Sequence, residues 1–86
     1  MRSIEWILPA WEDYLLWQKQ DKKVFKKINE LIKVSLRTPF EGIGKPEPLK
    51  SNYAGYWSRR INQEHRIVYK VLDDKIVIIA CKGHYM

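Results

Sequence analysis

The chain has 86 residues, of which 16 are Lys or Arg and 10 are Asp or Glu, leaving a formal net charge of +6. So short a chain has material for one core only and reads as a single domain over residues 1–86, with four Trp, five Tyr and two Phe to fill it without a metal or disulfide staple. The lone Cys81 excludes an internal disulfide, and no apolar stretch approaches the roughly 20 residues of a membrane span, so a cytoplasmic protein without membrane attachment is expected.

Residues 2–6 are short and partly apolar, enough for a brief strand. Pro9 then suits the first turn of a helix running to about Gln20, with Trp11, Tyr14 and Leu15 on one face. Asp21 can cap a second helix over residues 22–37, in which Val24, Ile28, Leu31 and Ile32, with Phe25 and Leu36, recur at three- and four-residue spacing. Its other face carries Lys22, Lys26, Lys27, Glu30 and Lys33 and reads first as a solvated face. Thr38-Pro39 ends this helix, because the residue before proline is driven out of the helical region. Residues 39–55 contain Gly42, Gly44, Pro46, Pro48 and Gly55, and are expected to form a long, proline-restrained functional loop.

Three strands follow, over about residues 56–61, 66–72 and 75–81, with turns at residues 62–65 and at Asp73-Asp74. The expected fold is α+β: a short N-terminal strand and two helices packed on one face of a small antiparallel sheet. The apolar pattern sets the register, since a one-residue slip would turn every core side chain outward. If Arg60 lies opposite Arg66, then Trp57, Ile61, Ile67, Tyr69 and Val71 share one face, and Ser58, Arg60, Arg66, Val68 and Lys70 the other. Paired arginines imply an anion between them, or else separate escape to solvent or a bond to Glu64. A two-residue turn at Asp73-Asp74 would set Leu72 opposite Lys75, Val68 opposite Ile79 and Arg66 opposite Cys81. The C-terminal His84 and Tyr85 then return to the edge where Arg66 lies.

The basic surplus suits a polyanion. It lies largely in the C-terminal half, at Lys45, Lys50, Arg59, Arg60, Arg66, Lys70 and Lys82, among Tyr53, Tyr56, Trp57 and Tyr69. Ordinary solubility charge is the competing reading. Metal-free RNA cleavage needs a base for the 2′-hydroxyl, a cation for the phosphorane and an acid for the leaving 5′-oxygen. Glu47, held between Pro46 and Pro48 and kept ionised by Lys45 and Lys50, could supply the first, Arg66 the second and His84 the third. A frayed terminal histidine and a solvated loop glutamate are the plain alternatives. His65, at a turn, reads as an ordinary surface residue, and Cys81, inside an apolar strand, as a buried inert thiol. No metal or cofactor is expected, because two histidines without a carboxylate cluster make no recognisable metal set and no phosphate-binding glycine loop is present.

Ordered blocks along nearly the whole chain resemble the YoeB toxin family, the Txe/YoeB branch of the RelE superfamily of mRNA interferases. They include Trp11-Glu12-Asp13-Tyr14, Lys27-Ile28-Asn29-Glu30-Leu31-Ile32-Lys33, Arg37-Thr38-Pro39-Phe40-Glu41-Gly42, Gly44-Lys45-Pro46-Glu47-Pro48-Leu49-Lys50, Trp57-Ser58-Arg59-Arg60-Ile61, Glu64-His65-Arg66, Val68-Tyr69 and His84-Tyr85. The resemblance implies a ribosome-dependent endoribonuclease toxin with Glu47 as base, Arg66 as transition-state cation, His84 as acid and Tyr85 orienting or stacking the substrate. Lys50 and Arg60 become substrate contacts. Implied partners are a YefM-like antitoxin with an acidic disordered tail, mRNA and the ribosome, operator DNA for the toxin–antitoxin complex, and a second copy of the toxin. The segment Cys81-Lys82-Gly83 and the extra Met86 depart from the expected family ending, which bears on how the tail is anchored. A non-catalytic basic module, binding antitoxin and operator as a co-repressor through Arg59, Arg60 and the helix lysines, is the alternative.

Overall fold

The computed structural model describes residues 1–83. The chain runs β1 (Ser3–Trp6), α1 (Leu8–Gln20), α2 (Lys22–Arg37), β2 (Glu47–Pro48), a short 3-10 turn (Ser51–Tyr53), β3 (Trp57–Arg60), β4 (Arg66–Val71) and β5 (Lys75–Ala80). The α+β architecture is as the sequence predicts, and both helices end within a residue of expectation. Pro9 stands in the first turn of α1, where a missing N–H costs nothing. The Asp21 carboxylate accepts from the amides of Lys23 and Val24, satisfying two donors that the first turn of α2 leaves orphaned.

The five strands form one sheet in the order β1-β5-β4-β3-β2. Two features differ from the expected antiparallel meander. β1 lies parallel to β5, pairing Ser3 with Lys75 and Trp6 with Ile78, so the sheet is mixed. The long loop also contributes an edge strand, with Glu47 opposite Ser58 and Pro48 opposite Trp57. The proline is tolerated there because an edge position asks fewer ladder bonds of it.

The core lies between the helices and one face of the sheet. Val24, Ile28 and Leu31 of α2 meet Ile67, Tyr69, Ile76 and Ile78, closed off by Ala10 and Trp17 of α1. In α1 the buried positions are therefore Ala10 and Trp17, with Tyr14 half-buried between them, whereas Trp11 and Leu15 stay exposed at 39% and 41%. The expected apolar face of α1 is thus rotated relative to the core. Along its inner edge Trp6, Trp11, Tyr14 and Phe25 form a chain of ring contacts with centroids 4.6–5.7 Å apart.

Candidate active site

The β3–β4 register is the one predicted from the apolar pattern: Trp57 faces Tyr69, Ser58 faces Val68, Arg59 faces Ile67 and Arg60 faces Arg66. Residues paired across neighbouring strands project to the same face, so Glu47, Ser58 and Val68 form one row. Arg60 and Arg66 form the next row on that face, away from the helices. Ser58 and Val68 are buried at its floor, while Glu47, Arg60 and Lys70 are exposed around it. Two strands across and two residues along, the Cα atoms of Glu47 and Arg66 are about 12 Å apart by strand geometry. That leaves room for a substrate between the two side chains rather than an ion pair.

Arg66 is held. Only 8% exposed, it donates from Nη1 to the carbonyls of Asn62 at 2.8 Å and His65 at 3.1 Å, which turns its guanidinium toward the residue 62–65 turn. The described hydrogen bonds leave its Nε and Nη2 edge uncommitted. Glu64 does not pair with either arginine; its carboxylate lies 3.6 Å from His65 Nε2. Arg60 is exposed and borders a cavity of about 350 Å³ that Lys27 and Lys45 also line, so three cations surround one opening. Of the alternatives for the arginine pair, the placement matches separate escape: Arg60 opens to solvent, while Arg66 turns onto the carbonyls of the 62–65 turn.

The loop carrying Glu47 is built rather than free. Arg59, adjacent to Arg60, points to the opposite face and is fully buried. Its guanidinium donates to the carbonyls of Thr38 at 2.5 Å, Glu41 at 2.9 Å and Ile43 at 2.8 Å, and to the Tyr69 hydroxyl at 3.1 Å. Tyr69 in turn donates to the Pro39 carbonyl at 2.7 Å. Gly44 closes this fold-back: at φ +82° its Cα approaches Leu31 so nearly that a Cβ would lie 2.8 Å from Leu31 Cδ2. Its carbonyl accepts from the Arg60 amide at 2.6 Å. Lys45 follows with φ +49° and Ser51 with φ +55°, two non-glycine residues in the left-handed region on either side of β2. Backbone of this kind persists where surrounding structure over-determines it, often beside functional groups. Lys50 is exposed and precedes the 3-10 turn.

The second hairpin follows the predicted register only at its tip end. Val71 pairs with Ile76 and Tyr69 with Ile78 as expected, but a bulge between Val68 and Tyr69 sets Val68 opposite Ala80 instead of Ile79. The pairing is displaced beyond it, and the Arg66 amide donates to the Gly83 carbonyl at 2.9 Å. The chain does return to Arg66, reaching it through Gly83 rather than Cys81. His84 and Tyr85, named above as acid and orienting residue, and the extra Met86, lie outside the described residues. Cys81 is buried, and loss of solvation pushes its thiol up to about 12, consistent with an inert side chain. Among the described residues no three His, Cys, Asp or Glu side chains converge as a metal-ligand group.

Residues 6–85 match the profile of the YoeB-like toxin of bacterial type II toxin–antitoxin systems. The chain belongs to this toxin family. Toxin YoeB of Escherichia coli K12 is 62% identical over 80 residues, spanning 93% of this chain and 95% of that protein. A Synechocystis Toxin YoeB is 60% identical over 76 residues, 88% of each chain. The structure of a YoeB dimer from Staphylococcus aureus superimposes with TM-score 0.92 at 56% identity over 98% of both chains. A chain from the heterotetrameric YoeB-YefM toxin–antitoxin complex of the same organism does so with TM-score 0.90 at 56% identity over 99% of both. YafQ from E. coli strain BL21(DE3), at 23% identity and TM-score 0.78, shares the fold.

Two residues of this family member escape the sequence reading. Arg59 counts there as a surface cation, yet it is the internal tie of the loop. His65 reads as an ordinary turn residue, yet its side chain is only 12% exposed and stacks edge-on against Trp17, with centroids 4.8 Å apart. The one sequence signal for Arg59 is the strand alternation itself, which puts it on the face shared by Trp57, Ile67 and Tyr69. No local pattern announces His65, whose partners come from α1 and from the C-terminal segment.

Proposed function

We propose that this toxin is an endoribonuclease that cuts mRNA on the ribosome by general acid–base catalysis without a metal, and so inhibits translation. Glu47 takes the proton of the 2′-hydroxyl, and the freed oxygen attacks the adjacent phosphorus. Arg66 neutralises the charge that builds on the phosphorane oxygens. His84 gives its proton to the departing 5′-oxygen, Tyr85 orients the nucleotide, and Lys50 and Arg60 hold the flanking phosphates. The products are a 2′,3′-cyclic phosphate and a 5′-hydroxyl. The observation that carries this reading is the shared sheet face of Glu47, Arg60 and Arg66, which sets a carboxylate and two cations on one side of the sheet.

Partners follow from the relatives. YoeB from S. aureus is described in complex with YefM and as a dimer, and we infer a YefM-like antitoxin and self-association for this chain as well. A net charge of +6 suits an acidic antitoxin segment, and operator DNA bound by the toxin–antitoxin complex. Among the described residues no helix is long and apolar enough to cross a membrane, in keeping with the cytoplasmic site that translation requires. The non-catalytic alternative loses one of its motivating residues, because Arg59 is spent inside the protein.

Mapping mRNA 5′ ends in a translating extract tests the reading. Wild-type protein should generate new 5′-hydroxyl ends within codons, and His84→Ala should lower their yield by about 10²-fold or more while keeping wild-type thermal stability and antitoxin binding. Undiminished cleavage by that variant would remove His84 from the chemistry.

A further inference from the structure

We propose that His65 is a positioning residue that clamps the C-terminal segment at Gly83, beside Arg66 and one residue before His84 in the chain; this rests on the reading of His84 as the general acid. Gly83 is gripped through both of its peptide groups. Its N–H donates to His65 Nδ1 at 2.9 Å, and its carbonyl accepts from the Arg66 amide at 2.9 Å. The grip therefore comes from two consecutive residues at the mouth of β4, one of which is the proposed phosphate cation. With φ +88° and no side chain, Gly83 offers nothing but its peptide groups to be held by. At Gly83 itself the segment is thus held through its backbone.

The clamp is itself braced. The His65 ring rests against Trp17, and Trp17 Nε1 donates to the Cys81 carbonyl at 3.0 Å, so one α1 side chain supports both the imidazole and the strand end it holds. The His65 main chain is fixed as well: its amide donates to Asn62 Oδ1 at 2.7 Å, and its carbonyl accepts from the amide of Ile61 at 3.0 Å and from Arg66 Nη1 at 3.1 Å. An Nδ1 that accepts the Gly83 N–H carries no proton, so the neutral ring must bear its proton on Nε2, on the side of Glu64. A surface histidine needs none of this. The arrangement is one in which a small displacement of the ring moves the base of the tail, and misplacing a catalytic group by about 1 Å is enough to cost up to about 10²-fold in rate.

Two substitutions separate the bond from the packing. His65→Phe keeps a ring against Trp17 and removes the acceptor, whereas His65→Asn gives up the ring but returns an oxygen near the former Nδ1. In the full-length protein, amide exchange at Gly83 should quicken by about tenfold in His65→Phe. On translating ribosomes the same variant should lose about tenfold in kcat with KM within about twofold, and His65→Asn should recover most of both losses. Nitrogen chemical shifts of wild-type His65 should report an unprotonated Nδ1. A protonated Nδ1, unchanged Gly83 exchange in His65→Phe, or equal losses in the Phe and Asn variants would each overturn the clamp. If wild-type protein cleaves no mRNA, the nuclease reading fails while Gly83 exchange still decides whether His65 holds the segment.

Discussion

The two faces of the β3–β4 hairpin use the same side chain for opposite ends. On the helix side Arg59 is sealed in, its guanidinium solvated by the carbonyls of Thr38, Glu41 and Ile43 instead of water. On the other side Arg60 lies open across from Arg66, with Lys27 and Lys45 near it. One residue of sequence separates a cation that organises the protein from one left available to a ligand. Burying an arginine without a carboxylate is tolerable only when fixed dipoles replace its hydration. Here those dipoles belong to the loop that brings Glu47 to the sheet edge, so the cost of burial and the geometry of the site are the same structural fact.

The sharpest way to break this contrast is to take one group from each face. Glu47→Gln, which keeps the shape of the side chain but not its basicity, should lower mRNA cleavage by about 10²-fold or more, with thermal stability shifted by no more than about 0.5 kcal/mol. A matching loss of stability would mean that the carboxylate serves the fold. Arg59→Met should do the reverse. It removes four buried hydrogen bonds, the one described for the Ile43 carbonyl among them, and should cost about 3 kcal/mol, read as a drop in Tm of about 12 °C or more. Arg60→Met, by comparison, should move stability by about 0.5 kcal/mol or less and weaken RNA binding instead. Equal stability losses in the two arginine variants would erase the distinction between the faces.

A gentler probe is alkaline titration. Burial raises the Cys81 thiol to about 12, and raises the phenols of Tyr69, where Arg59 opposes the effect, and of Tyr14. Each group holds its proton more tightly folded than unfolded. The stability they contribute is whole below the unfolded values of 9.0 for the thiol and 10.0 for the phenols, and is lost as pH rises through the folded ones. Tm measured from pH 8 upward should therefore begin to fall near pH 9, and Cys81→Ala should flatten the earliest part of that fall. An unchanged slope in the variant would assign the alkaline loss to other groups.

What could be read from the chain follows the range of the forces involved. Asp21 as a cap, the apolar period of α2, the stop at Thr38-Pro39 and the opposition of Arg60 and Arg66 are consequences of neighbours within a few residues or across one tight hairpin. β2 was hidden because a Pro46-Glu47-Pro48 run looks like loop; only the waiting edge of β3 makes Glu47 and Pro48 a strand. The bulge at Val68 arises where the C-terminal segment must satisfy both Arg66 and Trp17, a demand invisible along β5 alone. Glu47 and Arg66 could be named as candidate site residues from chemistry and resemblance, but their common face depends on β2, which the sequence reads as loop.

The amino-acid sequence by itself determined the helices, the hairpin register and the chemical character of one sheet face, since periodicity and turn chemistry are local properties. Only the tertiary structure decided that β1 runs parallel to β5, that Arg59 turns inward to tie the loop, and that His65 takes hold of Gly83. Each of these pairs groups far apart in the chain, and a side chain's role at such a meeting is set by which buried donors and acceptors are left to satisfy there.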